Sequence, residues 1–330
     1  MTDDQGEAAD TVDLQAVFND ILSGGFKPLV ARLQPLNHAV TCECEGVTVR
    51  AYYPSFRQGK ATVFELVEVI CLYLTKFCLP RSRLKQVSDL YGKVPQEEYD
   101  QKHQQLFDEA KSLFIKANQA TNRNGEAGEL LLYLLTEWVL GAPQLVAKMS
   151  LKTSSSMPVH GADGIHVRFC PKTSKILLYW GESKLYSDID KALKSAIESI
   201  EKALKPEKLE HELDLIQRNI DLSGLDALSK AEMLKYLDPM EDSYNQRHDI
   251  TTCLIGFDFD AFAALSGKDD DQLMSEFGDL ARDKLTSVMP ALTKAMKAAG
   301  IHDAQVELFF LPLPSVADLR TFFQNKIGWK

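Results

Sequence analysis

The sequence predicts an α/β fold, a mixed sheet flanked by helices. Three observations carry that prediction. Residues 144–151, 164–169 and 175–186 read as three consecutive strands, separated by the turn-rich stretches 154–161 and 171–174. An apolar helix at 125–140 precedes them, and an amphipathic helix at 188–204 follows, with Ile189, Leu193, Ile197 and Ile200 on one side. Near the C-terminus, a strand at 251–257, helical sequence at 271–299 and a strand at 305–311 form a strand–helix–strand unit, which implies parallel pairing.

The other elements follow in order. Residues 12–22 read as a short helix. Residues 38–53 alternate through VTCECEGVTVRAYY and predict a hairpin turning at Glu45-Gly46. Residues 61–77 are apolar at helical spacing through Phe64, Val67, Ile70, Cys71 and Leu74, and the pattern stops at Leu79-Pro80. Residues 97–120 form a charged helix, and residues 316–327 close the chain as another. Residues 205–247 are polar and helical with breaks at Ser223-Gly224 and Asp238-Pro239, the character of a connector or docking arm. The expected organisation is an acidic disordered tail over 1–12, an N-terminal α+β region over 13–120, and an α/β domain over 121–330 that carries the connector.

Composition narrows the function. The chain is 45% hydrophobic and 25% charged, as soluble globular proteins are. No apolar run approaches the ~18 residues of a membrane span. The acidic N-terminus is unlike a signal peptide, so the expected location is the cytoplasm, with no membrane partner. Six scattered cysteines without a Cys-x-x-Cys fit reduced thiols there. The absence of a Walker lysine motif excludes a P-loop ATP motor, and the absence of Gly-x-Ser-x-Gly excludes a hydrolase nucleophile elbow. The net charge is −10, with six acids and no Lys or Arg in the first 20 residues. Such a chain gains little from long-range attraction to phosphate, which favours a partner that delivers nucleic acid. Between residues 50 and 93, however, eight Lys or Arg face three acids, either a docking surface for phosphate or a partner, or a solvated rim.

The chemistry gathers at the ends of the predicted strands. Asp163 sits at the mouth of the second strand. Glu182 and Lys184, two apart near the end of the third, share a face because strand side chains alternate. The pattern Asp/Glu-x-Lys occurs three times, but Asp100–Lys102 and Glu109–Lys111 lie in the charged helix. Only Glu182–Lys184 follows a buried-looking run, ILLYW at 176–180, where a charged pair is costly unless paired or metal-bound. The helix at 125–140 opens with Glu126 and Glu129, neighbours on its surface. Either can be the carboxylate that joins the site, although acids also favour the first turn of any helix. Lys148, Lys152 and His160 are candidates for phosphate contacts, and Asp258 and Asp260 read as structural.

This order of helix with Glu, strand opening with Asp, strand ending in Glu-x-Lys, then helix resembles the PD-(D/E)xK nuclease core. The wording GELLLYLLTEWVL, HGADGIH and LLYWGESKLY is similar to that of the HamA family, the nuclease subunits of the Hachiman anti-phage defence system. The resemblance is specific over residues 125–199 and looser over the rest. Ala162 replaces the Pro that often precedes the Asp, which removes no ligand. The resemblance implies a restriction-endonuclease-like (PD-(D/E)xK) fold and Mg²⁺-dependent DNA hydrolysis, with Mn²⁺ able to substitute. It implies Asp163 and Glu182 as metal ligands, Glu129 completing the site, and Lys184 orienting the attacking water. It also implies a superfamily-2 helicase as partner, restraining the nuclease until abnormal DNA is sensed. The competing reading is a catalytically silent adapter or scaffold on a nuclease fold; the intact Asp163, Glu182 and Lys184 argue against it.

Overall fold

The computed structural model describes residues 12–22, 24–121, 125–152 and 161–329. The first part of the chain supplies α1 Leu14–Ile21, α2 Lys27–Val30, β1 Leu33–Pro35, β2 Val47–Pro54, the short ribbon of β3 Phe56–Arg57 and β4 Lys60–Ala61, then α3 Val63–Ile70, α4 Leu74–Cys78, α5 Arg81–Ser88 and α6 Gln96–Thr121. The middle holds α7 Glu126–Leu140, β5 Gln144–Val146, α8 Lys148–Lys152, β6 Gly164–Cys170, β7 Lys175–Leu185 and α9 Ile189–Ala203. The last part holds α10 Pro206–Asn219, α11 Ala227–Lys235, β8 Arg247–Asp258, α12 Ala261–Ala264, α13 Asp270–Ala298, β9 Val306–Leu313 and α14 Val316–Ile327.

Seven strands form one mixed sheet in the order β1-β2-β9-β8-β7-β6-β5. β5, β6 and β7 pair antiparallel, β7, β8, β9 and β2 run parallel, and β1 returns antiparallel at the edge. The strand–helix–strand unit β8–α13–β9 is parallel as its sequence predicts. Side-chain alternation divides the core into two layers. Leu254, Phe309 and Leu311 face α3, α4, α6, α7 and α14. Cys253, Ile255, Leu308 and Phe310 face α9 and α13. On that second side, at the β5–β7 end, Ile165, Val167, Leu178 and Trp180 pack with α1, α10 and α11.

Three expectations are corrected. The first strand does not run over 144–151: β5 ends at Val146 and α8 begins at Lys148. Ser150 turns the chain, its Oγ donating to Ala147 O at 2.7 Å, and a short apolar run cannot by itself distinguish strand from helix. The hairpin at 38–53 does not form. β2 instead has β9 on one side and β1 on the other, and residues 36–42 lie outside any strand. Gly46 is there for a close backbone approach, since a Cβ on it would lie 2.3 Å from Ala304 O. Finally, β1 and β2 belong to the same sheet as β5–β9, so the sequence regions 13–120 and 121–330 share one sheet. The polar stretch 205–247 also contributes to the core, through Leu213, Leu215, Ile216, Met233 and Leu237.

Candidate active site at the β6–β7 edge

β6 begins at Gly164, which is paired with Gly181 of β7. Asp163 stands just before β6, outside the paired strand, and its charge acts on Glu182. Asp163 N donates to Gly181 O at 2.6 Å. Beyond that point β7 has no β6 partner, and the Asp163 side chain substitutes for one. Its Oδ2 accepts from Ser183 N at 2.9 Å and from Ser183 Oγ at 3.2 Å.

Glu182 and Lys184 lie side by side on β7 and form an ion pair through Glu182 Oε1. Their side chains keep 18% and 16% of their accessible surface, enough for solvent to reach them. They lie beside Cys253 and Ile255 of β8, on the α9 side of the sheet. Burial raises the pKa of Glu182, the Asp163 charge raises it further, and Lys184 and a hydrogen bond with Ser199 of α9 pull it down less. Burial works against the Lys184 charge, but Glu182 and then Asp163 outweigh it, so its pKa is raised and it stays an ammonium ion. The buried thiol of Cys253 is also pushed up, first by burial and then by Glu182.

Helix α7 reaches the same strand end from the opposite face. A Cβ on Gly128 would stand 3.0 Å from Leu185 Cγ and 3.1 Å from Ser183 Oγ, so glycine lets the first turn of α7 press against the residue that binds Asp163. Glu129 follows at once and is half-buried, whereas Glu126 is buried. The fold therefore brings α7, Asp163, Glu182 and Lys184 to one edge. Among the described residues, no group of three or more His, Cys, Asp or Glu is arranged to hold a metal ion.

Lys148, a candidate for a phosphate contact, is buried against Glu212. It is 2% exposed, with its ammonium 3.0 Å from both carboxylate oxygens of Glu212. His160 and the side chain of Lys152 lie outside the described residues. His166 points away from Asp163 into the α7 layer, where its Nδ1 lies 2.8 Å from Ala142 O and burial lowers its pKa to about 4. Asp258 is structural, accepting from Val316 N at the start of α14. Sequence reading missed Glu212 and Ser183. Neither belongs to a local motif, although the serine inside Glu-Ser-Lys faces away from its neighbours, as alternation requires.

The basic stretch is only partly available for docking. Arg50 pairs with Glu307, and Arg57 with Glu65. Arg81 binds the fully buried Glu137 at 2.8 Å and donates to Gln144 O at 3.2 Å, so it braces α5 against α7 and β5. Lys60, Arg83, Lys85 and Lys93 are exposed.

The HamA family profile matches residues 34–327 of the 330. The chain belongs to the HamA family. That membership makes it a component of Hachiman anti-phage defence. The family match spans all three parts of the site, α7, β6 and β7, and also the N-terminal strands and α14. No curated protein matches the chain. Among the described residues, no helix is long and apolar enough to cross a membrane.

Proposed function

We propose that this chain is the Mg²⁺-dependent DNA nuclease of a Hachiman complex, built on a PD-(D/E)xK-type core and paired with a helicase. The observation that carries the reading is that Asp163 binds Ser183 of β7, the residue between Glu182 and Lys184, which are ion-paired to each other. Two hard oxygen donors at a solvent-reached edge suit Mg²⁺, which is commonly held by one or two carboxylates together with waters and substrate phosphates. The raised pKa of Glu182 supports the same fit, because burial and then the Asp163 charge disfavour its ionised form, and a cation would offset both. Asp163 and Glu182 would hold the ion, and Glu129, in the first turn of α7, would complete the site. When bound there, Mg²⁺ supplies an activated water and neutralises charge on the scissile phosphate. Ser183 fixes Asp163 from the backbone side. Lys184, held charged by Glu182, orients the attacking water and offsets negative charge as it builds on phosphate. Exposed Arg83, Lys85 and Lys93 form the available basic surface for a partner or for DNA backbone.

The test uses the purified chain, alone and with its neighbouring-gene product, on plasmid and linear DNA with Mg²⁺ or EDTA. Cleavage that needs Mg²⁺ and disappears in folded Glu182→Ala supports the reading. Undiminished cleavage by that variant, or no cleavage by the complete complex in Mg²⁺, overturns it.

A further inference from the structure

A buried ion pair grips the residue just before Asp163. Lys148 opens α8, and Glu212 lies 64 residues further on, in α10. Lys148 Nζ donates to Ala162 O at 2.7 Å, while Glu212 Oε1 accepts from Ala162 N at 3.0 Å. The same two charges meet each other at 3.0 Å. One residue thus has its N–H and its C=O held by opposite charges, in a place where the lysine and glutamate are 2% and 5% exposed. Gly161 is fitted to the arrangement. Its φ is +140°, and a Cβ there would fall 1.6 Å from Glu212 Oε1, so only glycine lets the chain pass.

Stability alone does not explain such a pair. Replacing a buried ion pair by apolar residues of similar volume is often neutral or stabilising. An apolar pair, however, cannot satisfy the N–H and C=O of Ala162, a buried residue. We infer that Lys148 and Glu212 are positioning residues for Asp163: they lock the backbone at Ala162 so that the next carboxylate reaches Ser183, between Glu182 and Lys184. The inference deepens the nuclease reading and rests on it for the role of Asp163.

Two double variants of the full chain test it, Lys148→Met with Glu212→Leu, and Lys148→Met with Glu212→Gln. The first releases both groups of Ala162. The second keeps an acceptor for its N–H. Three readouts are needed: thermal denaturation, Mn²⁺ affinity by titration calorimetry, and exchange of the Ser183 amide by NMR relative to amides in the middle of β7. Ser183 N–H bonds Asp163 Oδ2, so its exchange reports where Asp163 sits. The folded apolar variant is expected to bind Mn²⁺ about 10–100-fold more weakly, as loss of supporting shells around a metal does. Its Ser183 amide should exchange at least ~10-fold faster, a local opening rather than a global one. The glutamine variant should fall between it and wild type. If the apolar variant fails to fold, the glutamine variant decides alone: faster Ser183 exchange supports positioning and unchanged exchange overturns it. A folded apolar variant with wild-type Mn²⁺ affinity and wild-type Ser183 protection makes the pair structural only. Wild-type protein that binds no Mn²⁺ would instead sink the metal-ligand reading, and the exchange comparison would still decide the clamp.

Discussion

Two lysine–glutamate pairs lie beside Asp163, and they differ in almost every respect. Lys148–Glu212 joins distant parts of the chain, is nearly sealed from solvent, and holds the backbone of Ala162. Glu182–Lys184 joins residues two apart on one strand, is reached by solvent, and lies in the field of a second carboxylate, Asp163. In the first pair, charge is balanced where it is buried. In the second, two carboxylates share one ammonium, and the pKa of Glu182 is raised by burial and by Asp163 in spite of it. A charged residue marks a reaction site when its charge is reachable and left over, not when it is merely buried.

The hidden pair should show the largest effect. Lys148→Ala or Glu212→Ala alone strands a buried charge, and each is expected to cost about 3–5 kcal/mol of unfolding free energy. Denaturant titration measures it, and a cost below about 1 kcal/mol for both would erase the contrast between the pairs.

The open pair should respond in the reverse way. Glu182→Ala and Lys184→Ala are expected to lower DNA cleavage by at least ~100-fold, the scale on which charge stabilisation in an active site acts. Stability should move by no more than about 1 kcal/mol, because a partly solvated pair contributes little. Cleavage assays and denaturant curves on the same preparations separate the two. A large stability loss with retained cleavage would assign this pair to structure too.

A third contrast lies along β6, between Asp163 at its mouth and His166 inside. The His166 pKa falls from 6.5 to about 4, chiefly through burial. The folded state therefore binds fewer protons than the unfolded chain over that interval, so this contribution is complete above pH 6.5 and is lost as pH falls toward about 4. The loss is about 3 kcal/mol at about 1.4 kcal/mol per unit. Denaturation curves across that range should show it, and His166→Gln should flatten it. An unchanged acid profile in the variant would mean that another group sets it.

Much of the fold was legible in the sequence, and the limits have physical causes. Apolar periodicity placed α7, β6, β7, α9, β8, β9 and α14 because each buries a continuous stripe or run. It misplaced the ends of β5 and the pairing of β2, since pairing depends on partners far away: β2 lies beside β9, over 250 residues on. That Glu182 and Lys184 lie side by side followed from alternation along one strand. The role of Lys148 did not, because its partner is 64 residues away and a lysine near a strand end looks the same whether it meets phosphate or a buried glutamate. The basic stretch failed similarly at Arg81, whose partner Glu137 lies inside α7.

The smallest effect tests the coupling of Asp163 and Glu182 most directly. Asp163→Asn removes one charge, yet the amide oxygen can still accept from Ser183 N and Oγ. Burial is the first cause of the raised Glu182 pKa and Asp163 is the second, so the variant should titrate Glu182 nearer to the ordinary 4.5 without reaching it. A carboxylate whose folded pKa is raised adds stability below its unfolded value and loses it as pH rises through the folded one. Ionised Glu182 is therefore held in the wild-type site at a cost. Neighbouring like charges on a sheet are destabilising, on the scale of about 0.2–1 kcal/mol that cross-strand pairs carry. The variant should be more stable than wild type by about that amount at pH 7, with the gain shrinking as Glu182 protonates in acid. Mn²⁺ affinity should fall at the same time, since the lost charge is one a divalent cation uses. Carboxyl carbon NMR titration of Glu182 and denaturant curves at two pH values read both sides. If Glu182 titrates identically in the two proteins, the carboxylates do not share a field, and the β6–β7 edge is not a metal site.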